Sequence, residues 1–468
     1  MKHPRLRVPV RATLILTGAG VVAKAVALLT TPLFTRALPP AAYGLYPLYN
    51  TWLGVFTVVG TLGVGAGVLY RGIQRDPANA DAFLSGAVSF CALPTGLLLL
   101  ATLLFPAFFS RLTGLPAPLL PLLCMQIGAE TILTLAAARE RYAYRPLLPA
   151  ALLVGRAVLS PLFAWALLRL SERQAEARVF AAAGAALLFA LPQAVALFRK
   201  APPNAKNWRF LLRFQLPLLP HFASLSLMAE TGRLLVGHFL GAEALAPFSL
   251  AVTVGLAPTL LTSGLLSVFQ PWLLRKTAAG QTAEVGAVAG KILLALAGGA
   301  AGLILFLPEI FAFLAPAAYA DGIREAVPIA LTVLPMFLYP LFASVTLQRE
   351  RTASASLASV AAALFSVAVQ GLLIPRYGTM AAAWCMPFSY GVLTLLQGIF
   401  SRLSDRKNAI YVKSSLQIML LSVLAALLFP RLYPYFLARF LLGSGIAFAL
   451  CLWLWRTRLT LLERAPAP

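Results

Sequence analysis

Charge is scarce in this sequence, and negative charge scarcest of all. Of 468 residues, 15 are Asp or Glu against 38 Lys or Arg, and charged residues make up only 11% of the chain. Soluble domains carry roughly 25%, so an ordinary water-facing surface is excluded. Histidine is nearly missing, and His3, His221 and His238 form neither an HxxH nor an HExxH motif. The four cysteines, Cys91, Cys124, Cys385 and Cys451, stand apart in apolar segments with no CxxC. They read as small hydrophobes with no metal-ligand spacing, so no metal site and no catalytic residue are expected.

What the chain has instead is apolar sequence in long runs. It is 60% hydrophobic, with mean hydropathy +0.84. A membrane-spanning helix needs roughly 20 mostly apolar residues. Such runs occur at 14–35, 46–69, 83–106, 119–138, 147–168, 179–198, 214–240, 244–270, 287–314, 325–347, 354–374, 380–400, 414–430 and 435–455. The fold class expected is all-α, a polytopic membrane protein with about fourteen transmembrane helices. The basic N-terminus followed by an apolar run resembles a signal peptide. The run continues past Lys24 to Phe34 without a clear cleavage site, so it is read as a retained first span.

The formal net charge of +23 could point to nucleic acid, but the basic residues sit in short segments between apolar runs. That is the positive-inside pattern of a membrane protein, and no nucleic-acid partner is expected. With the N-terminus in the cytoplasm, inside segments hold 25 Lys or Arg and outside segments hold eight. Both termini are therefore expected on the cytoplasmic side of the cell membrane. The poorest fit is the outside loop 169–178, with three Arg partly offset by Glu172 and Glu176.

The longest inside loop, 199–213, is basic and carries Pro202-Pro203-Asn204. It reads as a cytoplasmic linker lying on an anionic membrane surface between two halves. The domains expected are an N-lobe over 1–198 (helices 1 to 6), the linker 199–213, a C-lobe over 214–400 (helices 7 to 12), and a C-terminal helix pair with tail over 401–468. The halves resemble each other at one place. RALPPAAYGLYPLY (36–49) and HFLGAEALAPFSLA (238–251) both follow the first span of their half. At an offset of 202, Leu38 meets Leu240, Tyr43 meets Leu245, Gly44 meets Ala246 and Tyr46 meets Phe248. Internal repeats of this sort are common in secondary transporters, with substrate held at the repeat interface.

Glycine motifs carry no nucleotide chemistry here. Gly63, Gly65 and Gly67 lie in an apolar run with no strand before them, and Gly286 to Lys291 is one residue short of a P-loop and lacks its Ser or Thr. Gly63/Gly67, Gly286/Gly290 and Gly298/Gly302 instead give the GxxxG spacing of close helix approach. Prolines inside the runs, among them Pro149, Pro161, Pro217, Pro258, Pro335 and Pro387, bend helices, which suits static kinks as well as a protein with two shapes.

Charges inside the runs are the candidate functional residues, because a charge at mid-membrane costs roughly 2.5–3.5 kcal/mol or more and so faces a cavity and a partner. They are Lys24, Glu130, Arg156, Glu230, Arg233 and Lys291. Glu230 and Arg233 are three apart and can pair on one helical face. Lys291 can snorkel to the inner surface. Lys24 and Arg156 have no acid within helical reach and suit anion binding, or else pair with Glu130 across helices. The bias of four basic residues to two acidic ones favours an anionic headgroup. Loss of export on Lys24→Ala or Arg156→Ala is the expectation.

The stretches LTTPLFTRALPPAAYGLYPLYNTW (29–52) and TLGVGAGVLYR (61–71) resemble the N-terminal signature of the polysaccharide-biosynthesis, or oligosaccharide, flippases. The residues that carry it are Arg36, Leu38, Tyr43, Gly44 and Tyr46, and GRLLVGHFLGAEALAPFSLA (232–251) resembles the counterpart in the second half. Where that segment usually has an Asp before the basic residue, this chain has Gly232, with Glu230 nearby. The resemblance implies the fold of the multidrug/oligosaccharidyl-lipid/polysaccharide exporters: two pseudo-symmetric six-helix lobes around a central cavity, plus two C-terminal helices. It implies a flippase, not an enzyme, moving a polyprenyl-diphosphate-linked oligosaccharide between leaflets by alternating access. Lys24, Arg156, Arg233 and Arg36 are then the cavity's substrate ligands. Glu130 and Glu230 are the candidates for H+ or Na+ coupling, and no other cofactor is implied. Partners are the lipid-linked oligosaccharide, the bilayer and other polysaccharide-assembly proteins. A lipid II flippase is the nearest rival. A cation-coupled multidrug antiporter fits the scarce acids less well, a membrane glycosyltransferase or polymerase would need acidic catalytic residues or large outer loops, and a non-transporting scaffold would need no buried charges.

Overall fold

The computed structural model describes residues 7–64, 68–170, 174–349, 352–404, 410 and 415–457. Among them there are helices and turns and no strand. In chain order the helices are α1 (Arg7–Ala37), α2 (Pro40–Thr61), α3 (Val68–Arg75), α4 (Ala80–Leu104), α5 (Pro106–Thr113), α6 (Leu119–Tyr142), α7 (Leu147–Leu170), α8 (Gln174–Lys200), α9 (Trp208–Gln215), α10 (Leu219–Gly255), α11 (Thr259–Ala278), α12 (Thr282–Leu305), α13 (Leu307–Leu314), α14 (Asp321–Ala330), α15 (Val333–Gln348), α16 (Thr352–Ser404), α17 (Ser415–Leu428) and α18 (Phe436–Thr457). Eleven helical stretches among the described residues are long and apolar enough to cross a membrane, against the fourteen spans expected from sequence. Two of the eleven are each a pair of helices joined at one non-helical glycine, Gly241 in α10 and Gly378 in α16. The packing is that of a membrane protein: Ser415–Leu432 and Phe436–Trp453 both have hydropathy 1.8, yet only 6% and 11% of their residues are buried in protein. Such faces are stable only against lipid.

One expected span is shorter than the sequence suggested. The run 46–69 is not one helix, because α2 ends at Thr61 and Leu62 and Gly63 both take positive φ. The chain turns there, Gln215 donates to the Gly63 carbonyl at 2.8 Å, and helix resumes at Val68. Gly65 and Gly67 lie outside the described residues. The Gly298 spacing does mark a close approach: a side chain there would run into Leu450 of α18.

Two compact units account for the contacts. The first is Met1–Ser249 with Leu314–Ala318 and Ser359–Ala382. At one end of it, Val64, Leu69, Phe83, Leu84, Phe90 and Leu211 form a core where α3, α4 and α9 meet. The linker contributes to that core. Ser85 and Asn204 bond Pro202 and Ala82 carbonyls at 2.8 and 2.9 Å, and the Trp208 indole donates to the Gly86 carbonyl at 3.1 Å. Arg71 and Arg75 stack on Phe214 and Phe210 of α9. The 199–213 segment is therefore anchored on this unit by backbone acceptors and aromatic rings.

Within the same unit the suspected repeat has a structural counterpart. Between α1 and α2 the chain is extended at Pro39 (φ −64°, ψ 154°), and α10 breaks at Gly241 (φ 82°, ψ 179°). These positions are the offset of 202 apart, and the two corners touch: Gly44 lies against the Ala242 backbone and Leu48 against Gly237.

The second unit is Leu250–Phe313, Tyr319–Ala358 and Ala383–Pro468. Its core gathers Phe269, Leu273, Val285, Leu293, Phe337 and Leu341 from α11, α12 and α15. Against α12 and α13 lies α18, fixed by Arg439, which is 3% exposed. Its guanidinium donates to both oxygens of Glu309 at 2.7 Å and to the Leu305 carbonyl at 2.9 Å, and the Tyr433 hydroxyl donates to the Ile304 carbonyl at 3.1 Å.

Candidate functional site

Three charged residues of the first unit, Glu130, Arg156 and Arg178, line a cavity of about 370 Å³ between α1, α2, α6, α7 and α8. Its polar lining includes Asn50, Gln126, Glu130, Arg156, Ser160 and Arg178. That volume is within the roughly 300–1,000 Å³ of small-molecule sites.

The first charge pair comes from the α6–α7 hairpin. Tyr144, in a left-handed conformation (φ 53°), reverses the chain, so the two helices run side by side. Glu130 on α6 thereby faces Arg156 on α7. Arg156 binds it with both terminal nitrogens, Nη1 to Oε2 at 2.8 Å and Nη2 to Oε1. Both side chains are about a quarter exposed to the cavity. The fork-to-fork geometry suits Arg and carboxylate, and it neutralises the pair.

The second cation is Arg178, which the sequence had placed in an outside loop. It stands in the second turn of α8, and its guanidinium carbon lies 4.3 Å from the Phe34 ring, 5.0 Å from Tyr43 and 4.2 Å from Tyr46. Aromatic faces attract a guanidinium through their quadrupole and hold its plane. No described carboxylate forms an ion pair with Arg178. Its Nη1 is buried without a hydrogen-bond partner. The Tyr-Gly-Xaa-Tyr motif thus has a local physical role: the two tyrosines clasp Arg178, and the glycine between them admits the Ala242 backbone. Beside the cavity, the buried Tyr49 hydroxyl donates to Gln126 Oε1 at 2.9 Å, fixing that amide.

The remaining candidate residues lie elsewhere. Glu230 and Arg233 do pair along α10 at 3.2 Å, and Thr51 of α2 donates to the same Glu230 oxygen at 3.1 Å. They do not line the 370 Å³ cavity. Lys24 is exposed on α1, Arg36 is exposed in its last turn, and neither lines that cavity. Lys291 is half-buried on α12. Arg439 was not counted among the charges inside the apolar runs, although it stands alone in the 435–455 run; its partner Glu309 sits at the edge of another run. The signal for Arg178 was weaker, since three arginines in ten residues made a loop the natural reading.

Comparison with known proteins gives the family and the fold. The chain superposes on a lipid II flippase MurJ in an inward closed conformation with TM-score 0.74 at 14% identity, covering 95% of this chain and 99% of that one. An inward-facing multidrug resistance MATE family transporter of the MOP superfamily superposes with TM-score 0.60 at 15% identity, covering 84% and 96%. A MATE in the bent conformation gives 0.59 at 13% identity, covering 89% and 100%. At these identities the likeness establishes the fold, the helical one expected from sequence. None of the curated proteins matches the chain. The model of the polysaccharide biosynthesis protein family matches residues 10–276, more than half of the sequence, and the chain belongs to that family.

Proposed function

We propose that this protein is a membrane transporter that moves a polyprenyl-diphosphate-linked oligosaccharide from the inner to the outer leaflet of the cytoplasmic membrane by alternating access. The observation that carries the reading is a polysaccharide biosynthesis family member holding a cavity lined by two arginines and one glutamate inside an apolar helical bundle. A net positive cavity suits an anionic headgroup, and the lipid tail stays in the bilayer. The lobes are 1–198 and 214–400, joined by 199–213 and followed by 401–468, with both termini in the cytoplasm. Lys24, Arg156, Arg233 and Arg36 contact substrate in one or another state. Glu130 and Glu230, each held now by an arginine, are the groups through which H+ or Na+ couples. Other polysaccharide-assembly proteins supply and receive the substrate.

A lipid II headgroup is the second reading, supported by the TM-score of 0.74 to a lipid II flippase over 95% of the chain. The deciding assay is flipping in liposomes, with a fluorescent polyprenyl-diphosphate oligosaccharide in one arm and fluorescent lipid II in the other. Wild type is expected to flip the first, and Arg156→Ala to lose at least tenfold in rate. Flipping of lipid II alone transfers the protein to the second reading. Flipping of neither by a folded protein rejects both, and drug uptake is then the measurement to make.

A further inference from the structure

A second pocket of the first unit, about 220 Å³, shares none of its lining with the charged cavity. It is enclosed by the starts of α4 and α7 and the ends of α6 and α8, and its polar residues are Asp81, Arg139, Glu140, Gln193 and Lys200. Arg139 is engaged within the wall itself. Its Nε and Nη2 meet the Asp81 carboxylate at 2.7 and 2.9 Å, and its Nη1 donates to Glu140 at 3.0 Å. One guanidinium thus answers two carboxylates, and the trio keeps one negative charge in excess. Glu140, with a side chain 13% exposed, is the more enclosed of the two acids. An enclosed charge without its counter-charge is costly. Lys200, the last residue of α8, lines the same pocket and forms no ion pair with a described carboxylate. An excess anion and a cation that share a pocket without meeting leave room between them for a ligand that carries both signs.

The position of the pocket says where such a ligand comes from. The stretches Pro77–Leu104, Leu119–Tyr142, Leu147–Leu170 and Gln174–Lys200 are each long and apolar enough to cross a membrane, and the pocket lies at the end that all four share. That end is at headgroup depth. Leu84, Ile132, Leu148 and Leu197 complete the lining, and beside it the apolar side chains of Leu147 and Val195 are exposed, surface that acyl chains cover. The volume is below the roughly 300–1,000 Å³ of drug-sized ligand sites, which suits a headgroup whose tails stay outside. We propose that this pocket binds the headgroup of an amine-bearing zwitterionic phospholipid, of the phosphatidylethanolamine kind. Its ammonium sits against Glu140 and Asp81, its phosphate meets Lys200, and its chains run along α7 and α8. A primary ammonium brings three N–H donors to the carboxylates, as a lysine does, whereas a choline headgroup brings none and a glycerol headgroup brings no positive charge. With the N-terminus in the cytoplasm the lipid belongs to the inner leaflet. The inference needs no transported substrate, so it stands or falls apart from the flippase reading.

The test is lipid titration of the delipidated full-length protein in detergent, read by native mass spectrometry. The probes are phosphatidylethanolamine, phosphatidylcholine and phosphatidylglycerol with the same acyl chains. Wild type is expected to bind one copy of phosphatidylethanolamine tenfold or more tightly than either of the others. Glu140→Gln removes the excess charge and leaves Arg139 paired with Asp81, and it should bring phosphatidylethanolamine to within twofold of phosphatidylcholine. Lys200→Glu, an exposed change at the end of α8, should weaken phosphatidylethanolamine tenfold or more, and it serves if the Gln variant fails to fold. Equal binding of phosphatidylethanolamine and phosphatidylcholine by wild type overturns the proposal without any variant. So does tightest binding of phosphatidylglycerol, which is attraction of an anionic lipid to basic helix ends. Wild-type preference retained in Glu140→Gln, or affinity unchanged in Lys200→Glu, places the lipid elsewhere and overturns the site.

Discussion

Gly44→Leu is expected to abolish flipping and to lower the thermal unfolding midpoint in nanodiscs by several degrees. A side chain at Gly44 collides with the carbonyl oxygen of Ala242, which is backbone and cannot rotate away. Relief requires α2 to move from α10, which also disturbs the contact of Leu48 with Gly237. Overpacking of this kind costs about 1–3 kcal/mol, and more when backbone must shift. A few kcal/mol is enough to move a two-state equilibrium by a factor of a hundred or more. Gly241→Ala is the instructive comparison, because nothing lies within 4 Å of a Cβ there. Its cost comes from φ 82°, ψ 179°, a conformation essentially reserved for glycine and worth about 1–3 kcal/mol. Gly44→Ser should therefore be impaired as well, because the collision already falls on Cβ, and Gly241→Ser should be as poor as Gly241→Ala. Wild-type flipping and melting in Gly44→Leu would show that the contact between the corners is dispensable.

Glu309→Leu is expected to harm the second unit more than Arg439→Met does, although both remove the same ion pair. The difference lies in what is left behind. The Arg439 side chain is 4% exposed and that of Glu309 is 39% exposed. Removing Glu309 strands a buried guanidinium with the Leu305 carbonyl as its remaining bonded partner, and breaking a buried pair in this way costs about 3–5 kcal/mol. Removing Arg439 leaves a carboxylate that protein does not enclose, 39% exposed, so the smaller loss is expected there. Hydrogen exchange over 436–453 should speed up by about a hundredfold or more in Glu309→Leu, since each 1.4 kcal/mol is tenfold. In Arg439→Met the change should be under tenfold, and the double variant should resemble Arg439→Met. Equal effects of the two single variants would mean that the pair is solvated and that α18 is held by other contacts.

The helical layout was legible because lipid imposes one rule on every residue of a span. The corners at Gly241 and Gly378 fall in the gaps left between 214–240 and 244–270 and between 354–374 and 380–400. The pairing of Glu230 with Arg233 was legible from their spacing, and Glu130 with Arg156 was one of the two open readings for that arginine. What the sequence hid was charge held by something other than opposite charge. Arg178 is held by Phe34, Tyr43 and Tyr46, which hydropathy counts as apolar and which sit some 130 to 145 positions earlier in the chain. Arg439 was hidden by averaging, since a single charge barely lowers the hydropathy of a window that otherwise reads as a span. The linker's grip on α4 was equally invisible, because it uses backbone carbonyls that every residue has.

The pairing of Arg439 with Glu309 also sets an order of events at the ribosome. Glu309 is made 130 residues before its partner, which at about 5–20 residues per second is a wait of roughly 6 to 26 seconds. During that interval the Glu309 carboxylate is without the arginine that pairs with it. When α18 emerges, its arginine must enter an apolar environment, at a cost of roughly 2.5–3.5 kcal/mol unless the acid is there to meet it. The last helix is thus admitted by a group laid down long before. A chain that stops short of Phe436 leaves Glu309 without its arginine partner for good.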